Sequence, residues 1–156
     1  AQTATGGHTQ ASDNKNDHDA AEIGTITHKL IELYWDQLEE DKYDRYLEKF
    51  NVFDPESATV IKGYLNVFKK SLVYSDLKAG ARHYFEHEFD QDGKRGAIDL
   101  VYFDEKRNGW RIIDFKTGNR TVEKEKSYAT QLTFYKEVME ARGLEICSAE
   151  LLWLCG

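Results

Sequence analysis

Two short stretches of this sequence set an acid inside an otherwise apolar run: Gly96-Ala97-Ile98-Asp99-Leu100-Val101 and Trp110-Arg111-Ile112-Ile113-Asp114-Phe115-Lys116. If both are strands, alternation puts Asp99 on the face of Ala97 and Val101, and puts Asp114 and Lys116 with Ile112. A carboxylate within a sheet face has to be paired or bound to a metal, because an isolated buried charge is very costly. Lys116 could simply be the ion-pair partner of Asp114. Two acids on adjacent strands beside a lysine also make an oxygen-rich site for magnesium or manganese. There the lysine can orient or help deprotonate a metal-bound water, while the cation stabilises charge building on a scissile phosphate. Geometry sets one condition. Opposed residues of an antiparallel pair share a face, so the connection needs an even number of residues. A four-residue loop, Glu105 to Asn108, sets Asp99 directly opposite Asp114, and a bulge would also serve.

Other residues could join that chemistry or serve only the fold. His28 lies at the edge of an apolar helical arc beside Gly24 and Trp35; it reads as a structural histidine or as a third metal ligand. Glu86 and Glu88 alternate onto one face of a strand, one a solvated edge acid and the other able to support the metal site. Gln131 and Tyr135, four apart, share one helical face. They are either a core-edge tyrosine with an exposed amide or a pair reaching the phosphate backbone or the lysine. Arg120, Lys124 and Lys126 are either phosphate contacts or a solvated cluster.

The elements that must carry these residues can be read from periodicity. Residues 1–21 are polar, with His8 and His18 solvated, and read as a disordered leader or linker from something upstream. Residues 22–156 read as one domain. Ile23 to about Glu40 is amphipathic at helical spacing, and a polar, Tyr-rich stretch follows to Phe53. Asp54-Pro55-Glu56 is a helix start, continued by Ala58, Ile61, Leu65, Phe68 and Leu72. Residues 82–90, 96–104 and 110–116 read as strands, with Asn108-Gly109 as a hairpin signal. Lys124 to Arg142 is helical, with Tyr128, Leu132, Tyr135 and Met139 on one face, and Gly143 as its stop. Ile146 to Leu154 is a buried final strand.

Composition narrows the function. The 156 residues suit one domain, and with 40% hydrophobic residues the chain can fold without disulfides. No apolar run is long enough to span a membrane, and the first twenty residues lack the pattern of a secretory signal. If Cys147 and Cys155 lie on one strand, they stand about 26 Å apart, too far for a disulfide; they read as buried, reduced, cytosolic cysteines. A net charge of −7 argues against a domain that grips nucleic acid unaided. Part of that acidity would be offset by a divalent cation, and the rest suits a module that is handed its strand. There is no G-x-x-x-x-G-K-S/T loop, hence no ATP site in this chain.

Taken together, Gly96-x-x-Asp99, Ile113-Asp114-Phe115-Lys116-Thr117-Gly118 and Gln131-x-x-x-Tyr135 resemble the PD-(D/E)XK nuclease domain of the RecB/AddA helicase-nuclease family. The Gly24-x-x-x-His28 element resembles that family's histidine segment, and the likeness runs from Ile23 to Leu154. It implies an α/β (α+β) fold: a restriction-endonuclease-like core with a central mixed sheet of about four strands flanked by helices. It implies His28, Asp99, Asp114 and the carbonyl of Phe115 as ligands of Mg2+, with Mn2+ as the alternative. Lys116 becomes the catalytic lysine, Glu86 (Glu88 as fallback) the upstream glutamate, and Gln131 and Tyr135 the Gln-x-x-x-Tyr motif. Phe115 stands where tyrosine is frequent, a change without consequence for a backbone ligand. The cysteines that hold an iron–sulfur cluster in some relatives are missing, so no cluster is expected. The implied activity is exonuclease digestion of single-stranded DNA in double-strand-break repair and recombination, beside a helicase domain or subunit, in a bacterial-type cytoplasm. The alternatives are a non-catalytic DNA-binding or scaffold module with the same fold, and a stand-alone endonuclease.

Overall fold

The computed structural model describes residues 18–156; the first seventeen positions of the expected leader, His8 among them, lie outside the described residues. Its last four do not behave as a leader. Helix α1 spans Ala20–Tyr34, and the Asp19 carboxylate accepts from the Glu22 amide while Glu22 reaches back to the Asp19 amide, a capping box. His18 is not solvated. It is half-buried, with Nδ1 3.4 Å from Asp54 Oδ1, a close approach rather than an aligned hydrogen bond.

Three helix boundaries differ from the periodicity. The chain leaves the α-conformation after Tyr34 rather than near Glu40, continuing as 3-10 turns at Trp35–Gln37 and Glu40–Lys42. Tyr46 is the cause: its ring stacks on Tyr34 at 4.1 Å and its hydroxyl donates to the Gln37 carbonyl at 2.8 Å. The Tyr-rich stretch contains a helix, α2 (Tyr43–Lys49), which buries Tyr43, Tyr46 and Leu47. Helix α3 (Pro55–Lys69) starts where Asp54 accepts from the Ser57 amide, but it stops before Leu72. Ser71 instead caps a new helix, α4 (Leu72–Lys78).

Strands β1 (His83–Gln91), β2 (Lys94–Asp104), β3 (Gly109–Lys116) and β4 (Ile146–Trp153) form one sheet in that order. The first two pairings are antiparallel and the last parallel, β3 and β4 being connected by helix α5 (Val122–Ala141). The β1–β2 hairpin is longer than expected. It closes on Asp92-Gly93, both left-handed at φ 53° and 78°, the twist a two-residue turn needs. The sheet is mixed and four-stranded, sandwiched between α1–α4 on one face and α5 on the other. Strand β4 is an edge and only half-buried; Cys147 on it is partly buried and Cys155, two residues beyond its end, is exposed, each a free thiol.

The sheet changes phase in its middle. Phe85 and Leu100 pack with α1–α4, whereas Phe89 and Ile98, an even number of residues away, pack with α5. The ladder skips Glu86 opposite Asp99, and Glu86 has φ +48°, a conformation uncommon for a side-chain-bearing residue. The strands thus turn over at one point. That point is where the acids lie.

Candidate active site

Strands β2 and β3 pair from Asp104↔Gly109 to Leu100↔Ile113 across the four-residue loop. One step further in this register Asp99 faces Asp114, so the even-loop condition is met without a bulge. The strands part there, and the Phe115 amide donates 2.8 Å to Asp99 Oδ2. Both carboxylates, with His28, Lys116, Glu86, Gln131 and Tyr135, line one cleft of about 590 Å³ between α1 and α5.

Helix α1 brings His28 to Asp99 by way of a glycine. A Cβ on Gly24 would come within 2.8 Å of Thr117 Oγ1, closer than real contacts allow, so with any other residue here either Thr117 or the helix would have to shift. The Gly24 carbonyl then accepts from His28 Nδ1 at 2.8 Å. His28 Nε2 is left facing two oxygens, Phe115 O at 2.9 Å and Asp99 Oδ2 at 3.1 Å. A ring nitrogen that meets two acceptors needs a proton or a cation between them. Burial opposes a charged imidazole, but the hydrogen bond and charge of Asp99 outweigh it and raise the His28 pKa to about 9. The Asp99 carboxyl, against its own burial, is correspondingly held down by His28.

Asp114 has the opposite problem. Buried at 4% exposure beside a second carboxylate, it is pushed up to about 7, first by burial and then by Asp99, with Lys116 only partly countering. Lys116 Nζ is 2.9 Å from Asp114 Oδ2, yet that oxygen has no aligned donor; the contact is an ion pair by distance, not a formed hydrogen bond. The same ammonium is 3.4 Å from Gln131 Oε1 and 3.8 Å from the centre of the Tyr128 ring. Tyr135 is buried against Phe89, and its hydroxyl is pushed up to about 12 by burial and then by the charges of Asp114, Asp99 and Glu86.

The donor set suits a hard divalent cation: an imidazole nitrogen and two oxygens already converge, and a buried carboxylate oxygen beside them lacks a donor. Among the described residues no three His, Cys, Asp or Glu side chains close around one point. His28 and Asp99 meet with a backbone carbonyl, while Asp114 lies against Lys116.

Of the two strand glutamates, Glu86 lines the cleft and Glu88 does not. They do not continue one face, because the left-handed turn at Glu86 breaks the alternation. The Glu86 carboxyl is raised by burial, then by Asp99 and Glu32. The basic trio splits: Arg120 pairs with Glu125 and Lys124 donates to the Asn119 carbonyl, while Lys126 is exposed; none of the three lines the cleft. Sequence reasoning missed Lys29, Glu32 and Tyr128 as cleft residues. For Tyr128 a signal existed, since it precedes Gln131 by three and shares its helical face.

The family model of the PD-(D/E)XK nuclease superfamily matches residues 4–152. Comparison with curated proteins found no match.

Proposed function

The chain belongs to the PD-(D/E)XK nuclease superfamily, and from that premise we propose that it is a magnesium-dependent DNA exonuclease of the RecB/AddA type. In this reading it digests a single strand delivered by a helicase domain or subunit during double-strand-break repair and recombination. The observation that carries the proposal is the convergence of His28 Nε2, Asp99 Oδ2 and the Phe115 carbonyl beside a buried Asp114–Lys116 pair. A scaffold would need none of these, and an ion pair alone would not need the histidine. The net charge of −7 supports a partner that supplies the grip on DNA.

His28, Asp99, Asp114 and the Phe115 carbonyl would hold the cation. When bound, it supplies positive charge against the charge that builds on the phosphoryl oxygens. Lys116 places an ammonium where it can donate to a phosphoryl oxygen or to the attacking water. Gln131 holds the lysine, and Tyr135 closes the acid cluster from the α5 side. Water attacks phosphorus as the bond to the 3′ oxygen breaks, leaving a 5′-phosphate and a 3′-hydroxyl.

Linear single-stranded DNA incubated with the chain and Mg2+, Mn2+ or chelator tests this. Cleavage should require the cation and fall at least about 100-fold in Asp114→Ala and in Lys116→Ala. Cation binding without cleavage would identify a non-catalytic module. Covalently closed circular single strands should resist, and cutting of circles would make the enzyme an endonuclease.

A further inference from the structure

Lys116 ends β3 on a long, flexible side chain whose compact ammonium seeks strong partners on every side. Two are polar, Asp114 Oδ2 at 2.9 Å and Gln131 Oε1 at 3.4 Å. Only the first is strong. On another side lies an aromatic face, with Nζ 3.8 Å from the centre of the Tyr128 ring. A cation at that distance is drawn to the ring's negative face, and the attraction grows as water is excluded. The Lys116 side chain is only 18% exposed.

The ring is itself backed. Trp153, 7% exposed, lies 6.0 Å from Tyr128. Trp153 is also the β4 residue that pairs with Lys116 in the parallel ladder, and the next amide, that of Leu154, donates 2.8 Å to the Lys116 carbonyl. The backbone of Lys116 is thereby tied to the strand that presents Trp153. Tyr128 sits one turn before Gln131 on α5, so a single helical face offers Lys116 both a ring and an amide.

We infer that the aromatic face of Tyr128 is a positioning residue for Lys116, holding its ammonium between Asp114, Gln131 and the cleft. Without the ring, Asp114 is the one strong attraction left, and the side chain is free to collapse onto that carboxylate or swing into solvent. The ring acts through its face and not its hydroxyl. This rests on the nuclease reading to the extent that Lys116 acts on the substrate, whereas the contact itself does not depend on that reading.

The test compares Tyr128→Phe with Tyr128→Leu in the full chain by two readouts. In NMR spectra recorded without DNA or cation, ring current should shift the Lys116 side-chain methylene resonances upfield in wild type and Tyr128→Phe. They should return to ordinary positions in Tyr128→Leu. On linear single-stranded DNA with Mg2+, Tyr128→Phe should keep kcat within about twofold, while Tyr128→Leu should lose about 5- to 30-fold in kcat with KM nearly unchanged. Absence of the upfield shift in wild type overturns the inference, as does a Leu variant with full kcat. Equal losses in both variants would assign the effect to the hydroxyl and also overturn it. A wild-type chain that shows the shift but cleaves no DNA with Mg2+ or Mn2+ overturns the nuclease reading, on ground distinct from loss of the contact.

Discussion

His28 and Asp114 are both held in protonation states that a cation would change, and this has a stability cost that can be measured. The His28 pKa is raised from 6.5 to about 9, so its contribution to folding is fully present below 6.5 and lost as pH rises through 9. Asp114 is raised from 3.8 to about 7. Its contribution is present below 3.8 and lost as pH rises through 7. Both act in the same direction. Cation-free protein should therefore lose Tm between about pH 4 and 9, with Asp114→Asn flattening the decline below pH 7 and His28→Gln flattening it from about pH 6.5 to 9. At pH 8 without a cation, Asp114→Asn should be the more stable protein, since it relieves a carboxylate crowded by Asp99, although it loses cleavage. His28→Ala should weaken Mn2+ binding at least about tenfold by calorimetry; unchanged affinity would return His28 to a purely structural role.

At the scale of elements, the site depends on how closely α1 meets the end of β3. Gly24→Ala places a methyl against Thr117 Oγ1 and should cost about 1–3 kcal/mol by denaturant unfolding, with loss of activity as His28 is displaced. Thr117→Ala in the same chain should recover part of both, because the clash has two partners. The α3 start is a simpler case. The Asp54 carboxyl is held below its ordinary value by hydrogen bonds from Ser57, which overcome its burial. Its contribution is fully present above the ordinary carboxylate range and fades as pH falls through the depressed value. Asp54→Ala should cost about 1 kcal/mol near neutral pH, and Asp54→Asn should keep most of the cap but lack that acid-side step.

Across the whole molecule, the balance of charge sets how the chain meets DNA. With a net charge of −7 and, among the described residues, with Lys29 and Lys116 as the lysines lining the cleft and no arginine there, few cations face a strand bound at the site. Binding of the isolated chain to single-stranded DNA should be weak, and log K against log salt should have a slope no steeper than about −2. A steeper slope, measured by fluorescence anisotropy, would mean that this chain carries its own DNA grip. No helix among the described residues is long and apolar enough to cross a membrane.

The acids at Asp99 and Asp114, the lysine two residues on and the order of the main elements could all be read from the sequence, whereas the parity of the loop between the strands could be posed there only as a condition, which the pairing of Asp104 with Gly109 meets. What could be read rests on local rules: strand alternation, and helix caps such as Asp54-Pro55. The short helix α2, the end of α1 at Tyr34 and the break before Leu72 were not legible, because tyrosine stacking and a serine cap settle them against periodicity. Nor could period-two counting choose Glu86 over Glu88. That choice belongs to one left-handed residue opposite Asp99, which turns the sheet over and which no side-chain pattern announces. Only the folded chain could bring His28, 71 positions before Asp99, to within 3.1 Å of it. Contacts that remote in sequence are set by how whole elements pack, and here the packing passes through the missing side chain of Gly24.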